Sequence, residues 1–122
     1  MRSANPPRAP RGRADPADAP VLSTMELLGQ RWILRALWEL EPGRLGFLEL
    51  RRRMDNCSSS MLSVRMQTLQ SAGLITKNAD KSYELTPAGT ELAVALRPAW
   101  EWARRHQHDL PGTNSDRPDL RA

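Results

Sequence analysis

The stretch from Ser58 to Ile75 constrains the fold more than any other part of this chain. Leu62, Met66 and Leu69 recur at i, i+4 and i+7, a single apolar stripe of helical period. Ser59, Ser60, Ser63, Gln67 and Gln70 fall on the other side. Ser58 suits the N-cap, because its hydroxyl accepts a hydrogen bond from an otherwise unpaired N–H of the first turn. Gly73 suits the position just past the last turn, where the left-handed backbone carries no Cβ penalty. The spacing therefore predicts one helix with a marked start and stop. Its outer face carries few charges, whereas an ordinary solvated helix carries Glu–Lys pairs. Short hydroxyls and amides are groups that reach base edges in a major groove. A Ser-rich surface helix without a partner shows the same pattern, so the neighbouring segments decide its meaning.

Leu74-Ile75-Thr76-Lys77, then Asn78-Ala79-Asp80-Lys81, then Ser82-Tyr83-Glu84-Leu85 reads as strand, turn, strand. A Ser-rich helix, a Gly stop and a short basic hairpin follow the order of a winged helix-turn-helix. The fold class expected is mainly α with a small β-hairpin wing. The ordered set Phe47-x-Glu49-Leu50-Arg51, Ser58-x-x-x-Leu62-Ser63-x-Arg65-Met66-x-x-Leu69, Gly73-Leu74-Ile75 and Tyr83-x-Leu85-Thr86-x-x-Gly89 resembles the HxlR-type transcriptional regulators, relatives of the MarR type. The resemblance covers about residues 22–107. It implies a bacterial, cytoplasmic, DNA-binding homodimer, with room for a small-molecule effector in a pocket between dimer helices.

At 122 residues the chain has room for one domain plus tails. So small a domain builds a marginal core, which association would supplement. The formal charge is +4 and the pI near 10.2, and residues 21–107 alone hold 12 Lys or Arg against 9 Asp or Glu, a net +3. A basic balance favours anionic partners such as nucleic acid. The lone cysteine excludes an intramolecular disulfide and suits a reducing compartment. No segment reaches the ~18 apolar residues of a membrane span, and the Arg-bearing N-terminus lacks the apolar run of a signal peptide. Arg far outnumbers Lys, which reads as coding bias rather than function.

Residues 1–20 hold five prolines and four arginines and almost no large apolar side chain, the composition of a solvated tail. As a basic arm this segment would touch DNA phosphate. Order is expected from Leu22, with Ser23 and Glu26 as a capping box and Leu22 and Leu27 at the hydrophobic-staple positions. A second helix is expected from Gln30 to Leu40, polar only along Arg31, Arg35 and Glu39 and otherwise buried on several sides, Trp32 and Trp38 included. Trp32 matches the family's Gly-x-Lys-Trp start, with Gln30 and Arg31 in place of its second Gly and its Lys. Pro42-Gly43 is a turn, and Arg44 to Gly46 a candidate first strand. The next helix, about Phe47 to Met54, buries Phe47, Leu50 and Met54 and exposes Arg51, Arg52 and Arg53. One turn ahead of a recognition helix, such a run is where a helix-turn-helix crosses the phosphate backbone. The family is basic here too, although Gly46 stands where an Arg usually precedes the Phe.

Cys57 reads as a small core residue in the turn between these helices, although a helix N-terminus lowers a thiol pKa. Some members of the family sense oxidants through a cysteine near the N-terminus, and this chain has none there. Thr86-Pro87 opens the last long helix as N-cap and N1. Leu92, Leu96, Trp100 and Ala103 form its apolar stripe, with Pro98 as an expected kink. The family has a similar proline and tryptophan in this helix. Trp100 and Trp102 are too large to stand bare on a small monomer and mark a dimer interface, together with Leu22, Leu27, Leu92 and Leu96. His106 and His108 do not share a helix face and have no Cys/His cluster around them, so no metal site and no cofactor is expected. From residue 108 the composition is again that of a tail.

The first reading is thus a sequence-specific regulator of double-stranded DNA acting as a homodimer. Ser58, Ser59, Ser60, Ser63, Arg65 and Gln67 of its recognition helix would contact DNA, with Ser59, Ser60, Ser63 and Gln67 facing bases, and Arg51, Arg52, Arg53, Lys77 and Lys81 would hold phosphates. The second is a winged-helix adaptor that binds protein and no DNA. Ser60 and Gln70 stand where the family often has Lys and Glu, and the wing is shorter than usual. An enzyme is not expected, because no Ser/His/Asp set, Cys/His set, phosphate loop or metal cluster appears in the core.

Overall fold

The computed structural model describes residues 15–107, which hold five α-helices and one two-stranded antiparallel sheet. Of the expected tails 1–20 and 108–122, residues 1–14 and 108–122, His108 with them, lie outside the described residues, whereas residues 15–20 hold a 3-10 turn and the start of a helix rather than a tail. The chain divides at Gln30 into two compact units.

The first unit holds a 3-10 turn, Pro16–Asp18, and helix α1, Ala19–Leu28. Asp15 caps the turn through a hydrogen bond from the Ala17 N–H, 3.0 Å. The helix therefore starts four residues before the expected Ser23 cap, with Asp18 at its N-cap and Pro20 in its first turn. Proline's fixed φ favours a helix start, and its missing N–H is one the first turn leaves unpaired anyway. Ser23 and Glu26 sit inside the helix and form no capping box, so Leu22 and Leu27 are not staple partners. Val21 and Met25 are exposed.

The second unit begins with helix α2, Ile33–Leu40. Ile33, Ala36, Leu37 and Leu40 repeat at i, i+3, i+4 and i+7 and are all fully buried. The expected start at Gln30 is too early, because Trp32 occupies the left-handed region at φ 77° and forms the N-cap. Trp38 is 41% exposed, so α2 buries one face rather than most of its circumference. Helix α3, Phe47–Arg53, adds Leu50, and Met54 at its C-cap is also buried. Helix α4, Ser59–Ser71, contributes Leu62, Met66 and Leu69, each at most 1% exposed. Strands β1, Ile75–Lys77, and β2, Tyr83–Leu85, pair with Ile75 opposite Leu85. The expected first strand is a single bridge, in which Leu45 and Tyr83 exchange both backbone hydrogen bonds. Helix α5, Pro87–Arg105, runs continuously through Pro98.

Two glycines fix how α4, β1 and α5 meet. Gly73 ends α4 at φ 77°, and Leu74 then bonds back from its N–H to the Leu69 carbonyl at 3.0 Å. Gly89, in the first turn of α5, lies so close to the Leu74 carbonyl that a Cβ there would stand 2.0 Å from its oxygen. Thr86 completes the junction. Its hydroxyl donates to the Gly73 carbonyl at 2.6 Å and accepts from the Gly89 N–H at 3.1 Å.

Candidate nucleic-acid interface

Helix α4 is seated by its cap and by three arginines. Ser58 Oγ accepts the Met61 N–H at 3.2 Å and lies 3.0 Å from Ser60 Oγ, so its hydroxyl is already engaged in capping. The turn before it uses Asp55 and Asn56 at positive φ, 60° and 54°, a conformation that Asx side chains tolerate. Arg35 reaches from α2 to this turn, bonding the Arg53 carbonyl and the Asp55 carboxylate as well as Glu39 one turn on. Arg51 donates from Nε to the Cys57 carbonyl. Arg51 is therefore half-buried and holds the turn, where the sequence pattern had it exposed beside Arg52 and Arg53. Arg65 likewise donates from Nε to the Arg31 carbonyl at 2.8 Å, tying α4 to the residues just before α2.

Ser59, Ser63 and Gln67 stand exposed on α4 and make no side-chain hydrogen bond among the described residues. Val64 shares that exposed face. Arg52 and Arg53 are exposed on α3, yet both bond Glu49, at 2.8 and 3.0 Å. The hydrogen bond from Arg53 and the charges of Arg52 and Arg53 hold the Glu49 carboxyl below its ordinary pKa. Exposed pairs of this kind are weak, so a phosphate can displace the carboxylate from either guanidinium.

On the hairpin, Lys81 takes a left-handed turn position at φ 72° and forms no ion pair or hydrogen bond through its side chain among the described residues. The Lys77 ammonium lies 5.5 Å from the Tyr83 ring centre. Arg44 faces the hairpin and pairs with Asp80 at 3.7 Å and Glu84 at 3.1 Å. The turn is closed by Ser82, whose hydroxyl and backbone N–H both donate to Asp80 Oδ1, at 2.6 and 2.9 Å. Those two bonds, with help from Arg44, hold the Asp80 carboxyl below its ordinary value. Asp80 and Glu84 both pair with Arg44, and neither lysine of the hairpin forms an ion pair with them.

Cys57 is buried in this region, as expected of a small core residue. Burial pushes its thiol pKa up, against the opposing charge of Arg51, which makes the thiolate scarce at neutral pH. Leu92, Leu96 and Trp100 are half-buried, Trp102 is 47% exposed and Val94 is 46% exposed. Trp100 meets Trp38 edge to face at 5.8 Å, and Trp102 stacks on His106 at 4.8 Å. An open cavity of about 510 Å³ lies between α2 and α5, lined by Leu34, Arg35, Trp38, Trp100, Ala103 and Arg104. Among the described residues no cluster of His, Cys, Asp and Glu is placed to hold a metal ion, and no helix is long and apolar enough to cross a membrane.

Sequence reasoning missed Arg35, Arg51 and Arg65 as the residues that position α4 and the turn before it. Only the i,i+4 spacing of Arg35 and Glu39 was visible, since each of the other contacts ends on a backbone carbonyl or a turn residue that spacing does not specify.

Known proteins share this fold. Residues 27–110 match the HxlR-like helix-turn-helix family. The chain is 28% identical over 98 residues to the HTH-type transcriptional regulator YtcD of Bacillus subtilis, covering 75% of this chain and 78% of that protein. It is 27% identical over 85 residues to the HTH-type transcriptional regulator YvaP of the same organism, covering 65% and 79%. The quinone-bound crystal structure of YodB from Bacillus subtilis superposes with a TM-score of 0.66 at 26% identity, over 71% of this chain and 97% of that one. These are transcriptional regulators rather than enzymes, and their winged helix-turn-helix is the fold of residues 31–107. With the match spanning more than half of its length, the chain belongs to the HxlR-like helix-turn-helix family of transcriptional regulators.

Proposed function

We propose that this chain regulates transcription in the cytoplasm by binding double-stranded DNA as a homodimer on an inverted-repeat operator. The observation that carries the reading is α4, a capped helix with a buried apolar stripe and the unengaged side chains Ser59, Ser63 and Gln67 on its exposed face. Arg52 and Arg53 on α3 and Lys77 and Lys81 on the hairpin are the candidate phosphate ligands around it. Base contacts from α4 would supply specificity, and the cations would supply affinity by counterion release. The dimer reading rests on the exposed Trp102 and the half-buried Leu92, Leu96 and Trp100 of α5, with Leu22 and Leu27 of α1 as the other candidates. The cavity beside Trp38 and Trp100 is where an effector would reach the dimer helices.

Selection of bound fragments from a random duplex pool tests the reading. It should enrich an inverted repeat whose half-site centres lie about one helical turn apart, ~34–36 Å, or a multiple of that. A pool with no enriched motif would count against it. The adaptor reading is favoured by one observation, the pairing of Arg52 and Arg53 with Glu49 and of Arg44 with Asp80 and Glu84, which trims the positive field.

A further inference from the structure

The outward line of α4 contains one side chain whose chemistry differs from its neighbours. At about 100° per residue, Ser60, Val64, Gln67 and Ser71 stand opposite the buried Leu62, Met66 and Leu69. Val64 is 54% exposed, and among the exposed residues of α4 it is the one large hydrophobic side chain. The core does not need it, since the buried stripe is complete without it. Its backbone carbonyl accepts the Thr68 hydroxyl at 3.0 Å, a contact that any residue at 64 would provide. Helix propensity does not call for it either, because a β-branched side chain loses rotamer freedom in a helix and Ala, Leu or Gln is preferred at an exposed site. Nor is Val64 a border residue lapping onto the core. Ser60 lies one turn before it and Gln67 one turn after, which sets the isopropyl group in the middle of a neutral polar face.

We propose that Val64 reads the C5-methyl group of a thymine in the major groove, beside the base pair contacted by Gln67. The inference rests on the DNA-reading role proposed above for α4. Thymine's methyl is the apolar group that base edges display in the major groove, and a small hydrocarbon side chain complements it. The same side chain set against a cytosine or adenine amino group would strip water from a donor without replacing the hydrogen bond. Residues three apart on a helix face have Cβ atoms about 5–6 Å apart, and successive bases rise about 3.4 Å. Val64 and Gln67 therefore address the same or adjoining base steps. Gln pairs bidentately with adenine N6 and N7, so together the two side chains select a thymine next to, or paired with, an adenine.

The test uses the full chain and its selected duplex. Each thymine of the half-site is replaced in turn by deoxyuridine, which removes the methyl group and keeps every hydrogen-bonding group. One position common to both half-sites should weaken wild-type binding about fourfold, the equivalent of one buried methyl at ~0.8 kcal/mol. Val64→Ala, which retains wild-type helix content by circular dichroism, should bind the thymine and uracil duplexes alike at that position. Equal discrimination in wild type and Val64→Ala overturns the inference, and so does the absence of any responsive thymine. Failure of wild type to select any sequence overturns the DNA-reading role itself, and it is seen before uracil is introduced.

Discussion

Gln67 and Arg65 lie two residues apart on one helix, yet their surroundings assign them different work. Gln67 is exposed and unengaged, so Gln67→Ala should lose about 1–3 kcal/mol on the selected operator and little on random DNA, as for a missing base contact. Competition binding on the two duplexes checks this, and equal losses on both would remove Gln67 from the readers. Arg65 spends its Nε on the Arg31 carbonyl, a contact that anchors α4 to the residues before α2. Arg65→Ala should therefore lower the urea midpoint, by roughly 1–2 kcal/mol for a lost charge-assisted bond. It should weaken both DNAs together. An unchanged urea midpoint would make Arg65 a free cation after all. This distinction was not legible in the sequence, where both residues simply fall off the apolar stripe. A hydrogen bond to a carbonyl 34 positions away leaves no trace in periodicity.

Among the elements, the caps that act locally were legible and those set by long-range packing were not. Ser58, Gly73 and Thr86 each signal a terminus through their own backbone chemistry, and each does what its residue type implies. Ser23 carries the same signal and is overridden, because Pro20 and Asp18 start α1 a turn earlier. Trp32 is another failure of local reading, since a left-handed aromatic residue is uncommon and no pattern announces it. Gly89 was visible as part of a motif, but its reason is the Leu74 carbonyl pressed against its Cα. Gly89→Ala pits a helix-propensity gain of at most about 1 kcal/mol against a backbone clash that cannot relax by rotating a side chain. The clash should win by about 1–3 kcal/mol, read as a lower urea midpoint, and a more stable Gly89→Ala would contradict the packing described. The hairpin carries its own pH dependence. Asp80 is held below its ordinary pKa by Ser82, so it binds fewer protons folded than unfolded. The support it gives the turn is present above about pH 3.9 and is lost as pH falls from there through the lower folded value. The Ser82 amide shift should titrate with a midpoint below the ordinary Asp value and lose that response in Asp80→Asn. A midpoint at or above the ordinary value would contradict the cause assigned.

At the scale of the whole molecule, the winged helix-turn-helix was readable because its parts come in a fixed order, each with its own punctuation. Trp38 shows the limit of that reading. An apolar pattern around α2 suggested burial on several sides, but the side chain is 41% exposed and meets Trp100 edge to face. A small basic domain with such rings at its surface is expected to associate. Wild type should sediment as a dimer at micromolar concentration. Trp100→Ala should weaken that dimer by ~2 kcal/mol or more, as for a central aromatic anchor. A monomeric wild type would remove the two-fold geometry from the account. The central claim, that α4 reads DNA while the surrounding cations hold it, is tested most directly by titrating labelled selected and scrambled duplexes across a range of salt. The account predicts that wild type prefers the selected duplex. It also predicts that log affinity on both falls linearly with log salt, by about 0.9 for each phosphate neutralised. No binding to either duplex at low salt would contradict it and leave the adaptor reading in its place.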